Sequence, residues 1–264
     1  MRKEAQSLAL RIRGLLDRLI ACRQLSTDEQ EVVGDEVAAE ARILPREGIL
    51  EAIDTAIGSS EMRRQAAVFI LSELTDVPEV VDRIGEWLRD PDPQIRSWLI
   101  QTVMYWRLKQ YTPFLNDIIE SDPDPFCRDV AIHAAGTLKA DENLPTLLRL
   151  AEHGDHDLTW RLASALKDYA TEDCRPYLNE WFQTDESKST RVVAAWGLGK
   201  LGDEKAIAYL IHMLDDPDRR GPTFSEPGQS LKAAQALCDI YEWPFEWNKS
   251  YVAKTVARVR GELK

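Results

Sequence analysis

Apolar side chains recur along most of this chain at i, i+3 and i+4, the spacing of one face of an α-helix. The stripes are short and regularly interrupted. Val80, Val81, Ile84, Trp87 and Leu88 form one. Phe114, Leu115, Ile118 and Ile119 form the next, followed by Leu144, Leu147, Leu148 and Ala151. Tyr177, Leu178, Trp181 and Phe182, then Ile207, Leu210, Ile211 and Leu214, continue the series. A proline stands near the start of four of these helices, at Pro78, Pro113, Pro145 and Pro176. Proline is tolerated in the first turn because that turn has no N–H partner to lose. No alternating strand pattern competes.

Another helix precedes each of these. Arg63, Arg96, Arg128, Arg161 and Arg191 fall in register at spacings of 33, 32, 33 and 30 residues. Three and four places on stand Ala66-Ala67, Leu99-Ile100, Ala131-Ile132, Ser164-Ala165 and Ala194-Ala195. Turns rich in Asp, Pro, Gly and Ser lead into most of them, such as Asp90-Pro91-Asp92-Pro93 and Asp122-Pro123-Asp124-Pro125. Such residues satisfy the free N–H groups of a helix start. A short helix with one apolar face cannot bury it alone, so successive pairs must stack. The prediction is an all-α, right-handed superhelix, an α-solenoid of about six helical-hairpin repeats.

The ends differ from the middle. Residues 1–57 read as three capping helices near 2–23, 27–42 and 46–57, with Leu8, Ile12, Leu15, Leu16, Leu19 and Ile20 on the apolar face of the first. Residues 58–216 hold five repeats. Residues 217–264 hold an insertion, then an atypical repeat resuming at Gln229 with Ala233-Ala234 in the small-residue slots. The three parts are expected to form one continuous domain.

The runs DPDPQIRSWLI, DPDPFCRDVAIHAAGTLKAD and TRVVAAWGLGKLGDEKAIAYLIHMLDDPD resemble HEAT-like repeats. The period near 32 is similar to the short variety first noted in phycobilisome lyases. The resemblance implies a fold rather than an activity. It also implies that the second, proline-bearing helices line the concave surface. HEAT-like hydroxylases hold two irons through His-Glu dipeptides, and none of the four histidines here precedes a Glu.

Charge changes the picture of the partner. The net charge is -12, which argues against a nucleic-acid backbone or an anionic membrane, since both need clustered cations. The acidity is located. The second-helix segments 78–90, 112–122, 141–152, 172–185 and 203–216 carry -13, and the first-helix segments between them carry +3. On the outward positions of the second helices lie Asp82, Glu86, Asp117, Glu120, Glu152, Asn179, Glu180, Tyr209 and His212. Together they define an acidic protein-binding groove for a basic partner protein. Other acids, such as Asp141, Asp203 and Asp216, sit in turns, where carboxylates usually cap helices.

Candidate chemistry is sparse. Cys22, Cys127, Cys174 and Cys238 are widely spread, which fits reduced, buried thiols in a cytoplasmic protein better than disulfides or zinc. No apolar run is long enough to span a bilayer, and the charged start does not read as a signal peptide. The string Glu152-His153-Gly154-Asp155-His156-Asp157 holds metal-ligand residue types but falls in a turn that specifies no geometry. His133 reads as a packed or partly exposed helix residue. Gly197-Leu198-Gly199-Lys200-Leu201-Gly202 matches GxGxxG but ends a helix instead of following a strand, so it reads as a helix terminus. Among the eight tryptophans, Trp87, Trp106 and Trp181 are expected in the core. Trp98, Trp243, Phe245 and Trp247 are candidate aromatic anchors for a partner. No catalytic residue, metal or cofactor is expected. The reading is a non-enzymatic binding protein in the manner of an immunity or inhibitor protein that neutralises a cationic toxin. The alternative is a lyase-like or chaperone-like protein that holds a tetrapyrrole in its groove, as the phycobilisome-lyase resemblance allows.

Overall fold

A computed structural model describes residues 2–153, 158–216, 228–244 and 252–263. Among them are fifteen α-helices, three 3-10 turns and no strand. The capping helices are α1 (Arg2–Cys22), α2 (Thr27–Arg42) and α3 (Ile49–Ile57). The first helices of the repeats are α4 (Glu61–Ser72), α6 (Pro93–Tyr105), α8 (Pro125–Leu138), α10 (Thr159–Tyr169), α12 (Lys188–Lys200) and α14 (Gln229–Ile240). The second helices are α5 (Pro78–Trp87), α7 (Thr112–Ser121), α9 (Leu144–His153), α11 (Arg175–Thr184) and α13 (Glu204–Met213). Helix α15 (Val252–Glu262) follows. The all-α repeat architecture stands as expected. No helix among the described residues is long and apolar enough to cross a membrane. The chain divides into two compact units, Met1–Tyr111 and Thr112–Lys264.

The turn chemistry explains the register of arginines. Asp90, Asp122 and Asp185 each accept, on Oδ1, the N–H two residues on, at 2.8, 2.9 and 2.7 Å. Their backbone carbonyls then point back at the new helix. There Arg96, Arg128 and Arg191 donate to them, at 2.7, 3.2 and 2.7 Å. The residue in between caps the helix. Asp92 accepts from the Gln94 N–H at 2.9 Å and Asp124 from the Cys127 N–H at 2.9 Å. Arg63 and Arg161 hold the same register but serve differently. Each makes a two-pronged pair with a preceding helix, to Asp17 and Asp129.

Close helix contact comes from small residues. In Thr112–Lys264 the first helices α8, α10, α12 and α14 pack directly on one another. A Cβ at Gly136 would lie 2.7 Å from the Ala165 Cα. The GxGxxG string is part of this packing. A Cβ on Gly197 would meet Leu178 at 2.8 Å, and one on Gly199 would meet Ile240 at 2.5 Å. Gly202 takes φ +81, and the Asp203 N–H bonds Leu198 O at 3.0 Å, closing α12 with a left-handed cap. The second helices of this unit make few direct contacts with one another. Each lies against the first helix that follows.

Buried polar ties join neighbouring repeats. Asn143 is fully buried and donates through Nδ2 to Thr112 O and to Asn116 Oδ1, both at 2.8 Å. Tyr169 donates to Ala140 O at 2.7 Å, and burial pushes its phenol above the usual tyrosine range. All four cysteines are buried, and none forms a disulfide.

Two of the expected core tryptophans, Trp87 and Trp181, are only half-buried. Trp106 is exposed, which corrects its placement in the core. Helix α6 ends at Tyr105, one residue earlier than the alignment with Leu138 requires. The backbone then turns left-handed at Arg107, φ 53, and the Trp106 ring leaves the core to meet Tyr105 edge-on at 5.3 Å.

Four outcomes follow for stability. Arg96→Ala leaves the buried carbonyl of Asp90 without its donor and should lower unfolding free energy by about 1–3 kcal/mol in urea titration. Gly136→Val should destabilise by roughly 1–3 kcal/mol through overpacking against Ala165. Gly14→Ala, in α1 with open space around it, should stabilise by roughly 0.5–1 kcal/mol. Burial opposes ionisation of Asp92, but hydrogen bonds from Gln65 and the Gln94 N–H, with the Arg64 charge, outweigh it and hold its carboxyl below the usual range. That stabilisation is complete above the ordinary aspartate pKa and is lost as pH falls through the lower, folded value. Asp92→Asn should flatten this acid limb in pH-dependent melting.

Candidate functional site

Two surfaces stand out, one acidic and one a groove. The acidic one is carried by the second helices. Asp82, Glu86, Asp117, Glu120, Glu152, Asn179, Glu180 and His212 are all exposed. Tyr209 departs from this set. It is half-buried, with its ring edge-on to Phe182 at 5.2 Å. Two of the acids are neutralised within the fold. Glu86 pairs with Arg83 at 3.2 Å, and Glu120 pairs with Arg149. Asn179 accepts from Gln183 at 3.0 Å. Asp82, Asp117, Glu152 and Glu180 have no ion pair among the described residues. Asp82 belongs to Met1–Tyr111 and the other three to Thr112–Lys264.

The first helices treat their acids differently. Asp129 is held by Arg161, and Asp168 by Lys167 at 2.7 Å. Asp239 meets Lys200 at 3.3 Å and accepts from the Trp196 indole at 2.7 Å, contacts that outweigh its burial and hold its carboxyl below the usual range. The turn acids are also engaged. Asp203 caps α13 by accepting from the Ala206 N–H at 2.9 Å, and Asp216 accepts from Lys188 at 3.1 Å. The acids within the first helices of the repeats, Glu61, Asp129, Asp168 and Asp239, thus each meet a cation, whereas Asp82, Asp117, Glu152 and Glu180 on the second helices meet none among the described residues.

The groove lies in Met1–Tyr111, where the end of α1 and the start of α2 meet α4 and α6. Its deeper part is a cavity of about 410 Å³, partly open to solvent. Leu19, Ala66, Val68 and Phe69 supply apolar lining, and Trp98 forms one wall. Gln30, Gln65 and Gln101 bring amides. Arg23 lies over the Trp98 ring, 5.9 Å from its centre. A shallower hollow continues from it, sharing Ser72, Gln101 and Thr102 and ending at Tyr105 and Trp106. Tyr105 is 77% exposed.

Trp98 was a candidate anchor and is found half-buried in the groove wall. Trp243 is half-buried and stacks on Tyr241 at 4.8 Å. Phe245, Trp247 and most of the 217–229 insertion lie outside the described residues, as do residues 154–157 of the metal-like string. Glu152 and His153 from that string are exposed, and the His153 ring contacts Arg149 O at 2.6 Å. No cluster of three metal-ligand side chains occurs among the described residues. His133 is part-buried, and that burial, followed by the Arg161 charge, pushes its pKa down.

Sequence reading missed the groove. Its signal was the polar character of two register rows. Gln65 and Trp98 stand where later repeats have Val130, Ala163 and Val193, and Gln101 stands in a row with Val68, His133, Leu166 and Trp196.

Comparison with known proteins agrees with this architecture. No curated protein matches the chain. Among solved structures, human deoxyhypusine hydroxylase aligns over 100% of both chains at 14% identity, with a TM-score of 0.35. That likeness is too slight to carry an argument. The HEAT repeats family matches residues 47–136, 81–167 and 144–221. With its turn clamps and stacked helix pairs, the chain belongs to the HEAT-repeat family.

Proposed function

We propose that this protein is a non-enzymatic scaffold that binds a basic protein partner through acids exposed on its second helices. Solenoid repeats present extended surfaces that commonly serve protein binding. The observation that carries the reading is the contrast in charge compensation. The first-helix acids Asp129, Asp168 and Asp239 and the turn acid Asp216 meet internal cations, whereas Asp82, Asp117, Glu152 and Glu180 are exposed without one among the described residues. Exposed charge of one sign speeds encounter with an oppositely charged protein and selects against acidic ones. A cationic toxin neutralised by an immunity-type inhibitor is the more specific form of this reading. Buried cysteines without a disulfide suit a reducing compartment such as the cytoplasm.

The test uses the full chain and a quadruple variant, Asp82→Asn, Asp117→Asn, Glu152→Gln and Glu180→Gln. Both are immobilised and exposed to the same lysate at low salt. The wild type should retain basic proteins that elute as salt rises, and the variant should lose most of them. Equal retention by both proteins, or retention insensitive to salt, contradicts the proposal.

A further inference from the structure

We infer that the groove of Met1–Tyr111 is a docking site for the C-terminal end of an extended peptide, with the terminal carboxylate on Arg23 and an apolar last side chain against Phe69 and Trp98. The inference rests on the protein-binding reading but not on its acidic face.

Charge is the first argument. Among the described residues Arg23 is the one ionised side chain lining the deeper cavity, and no carboxylate lines it. Arg18, Arg42, Arg46, Arg63, Arg64 and Arg83 of the same unit each meet a carboxylate. Arg23 meets none among the described residues. It is exposed and rests on the Trp98 face, which orients a planar fork suited to a carboxylate.

The lining is the second. Apolar side chains from α1 and α4 and the Trp98 ring offer a receptacle for one apolar side chain. The flanking amides are anchored. Gln65 donates to Asp92 at 2.8 Å, Gln30 to Leu25 O at 2.9 Å, and Gln101 to Ser97 O at 3.3 Å. Held by their nitrogens, they keep carbonyl oxygens to accept peptide N–H groups.

Length is the third. From Trp98 to Tyr105 the groove follows seven residues of α6, about 11 Å at 1.5 Å per residue. An extended chain covers that distance in about four residues at roughly 3.3 Å each. At the Arg23 end the groove is flanked by the α1–α2 corner, with Leu19, Cys22 and Gln30. A chain that stops there fits better than one that passes through. At the other end the exposed Tyr105 and Trp106 rings offer a second apolar contact.

An array of peptides with a varied last four residues tests this, printed once with free carboxyl ends and once with amidated ends. The full-length protein should select free-acid peptides ending in an aromatic or branched aliphatic residue. Amidation should weaken the best of them at least tenfold by fluorescence anisotropy. Arg23→Gln should reduce the free acid to the affinity of the amide and leave the amide unchanged. Tyr105→Ala, at an exposed position, should weaken the four-residue ligand several-fold and leave a two-residue ligand unaffected. Selection of peptides by an internal sequence, equal binding of acid and amide, or no binding at all overturns the inference. The quadruple acidic-face variant separates the two readings. It should keep the peptide preference while losing basic proteins, so failure on the array leaves the acidic-face result standing on its own.

Discussion

The fold depends on a small electrostatic clamp at the turn that opens a repeat. An Asp side chain takes the N–H two residues on, and its carbonyl is thereby turned toward the new helix. An arginine six residues after that Asp closes on the carbonyl, as Arg96, Arg128 and Arg191 do. A guanidinium can satisfy a buried carbonyl without needing a counter-carboxylate of its own at that spot. The clamp fixes where each first helix starts and at what angle. The Ala and Gly positions three to eight residues later then face the neighbouring first helix. Gly136 against Ala165 shows how closely those backbones approach. The rest of the packing, including the buried Asn143 and Tyr169 ties, follows from that alignment.

The same clamp sorts charge. Arginines and lysines of the first helices are engaged with turns and with acids of neighbouring first helices. The second helices receive few of these cations, although Arg83 and Arg149 neutralise part of their face. Part of the net charge of -12 is thereby left exposed at Asp82, Asp117, Glu152 and Glu180. Solubility alone would be served by acids scattered over both layers.

Much of this was legible in the sequence, because turn chemistry is local. The Asp-Pro turns, the arginine register and the proline-led second helices depend on residues within one repeat, and the helices start where those residues place them. What depends on neighbours was not legible. How closely the first helices approach is decided by contacts such as Gly136 to Ala165 and Gly199 to Ile240, between residues 29 and 41 positions apart. Trp106 shares a register position with Leu138 but leaves the core because α6 ends one residue earlier. The groove needed α1 and α2 to be docked beside α4 and α6. No periodicity within a single repeat records that meeting, and only the polar Gln65 in an otherwise apolar row hinted at it, since the row of Gln101 also holds His133.

The account's central claim is that uncompensated carboxylates of the second helices are the surface used for a partner. Carboxyl footprinting of the protein, alone and with a captured basic partner, tests this most directly. Carbodiimide-driven labelling followed by peptide mapping reads each acid separately. The account predicts that the partner shields Asp82, Asp117, Glu152 and Glu180 and leaves the labelling of Asp129, Asp168 and Asp239 unchanged. Shielding of those first-helix acids with the second-helix set left open would contradict it.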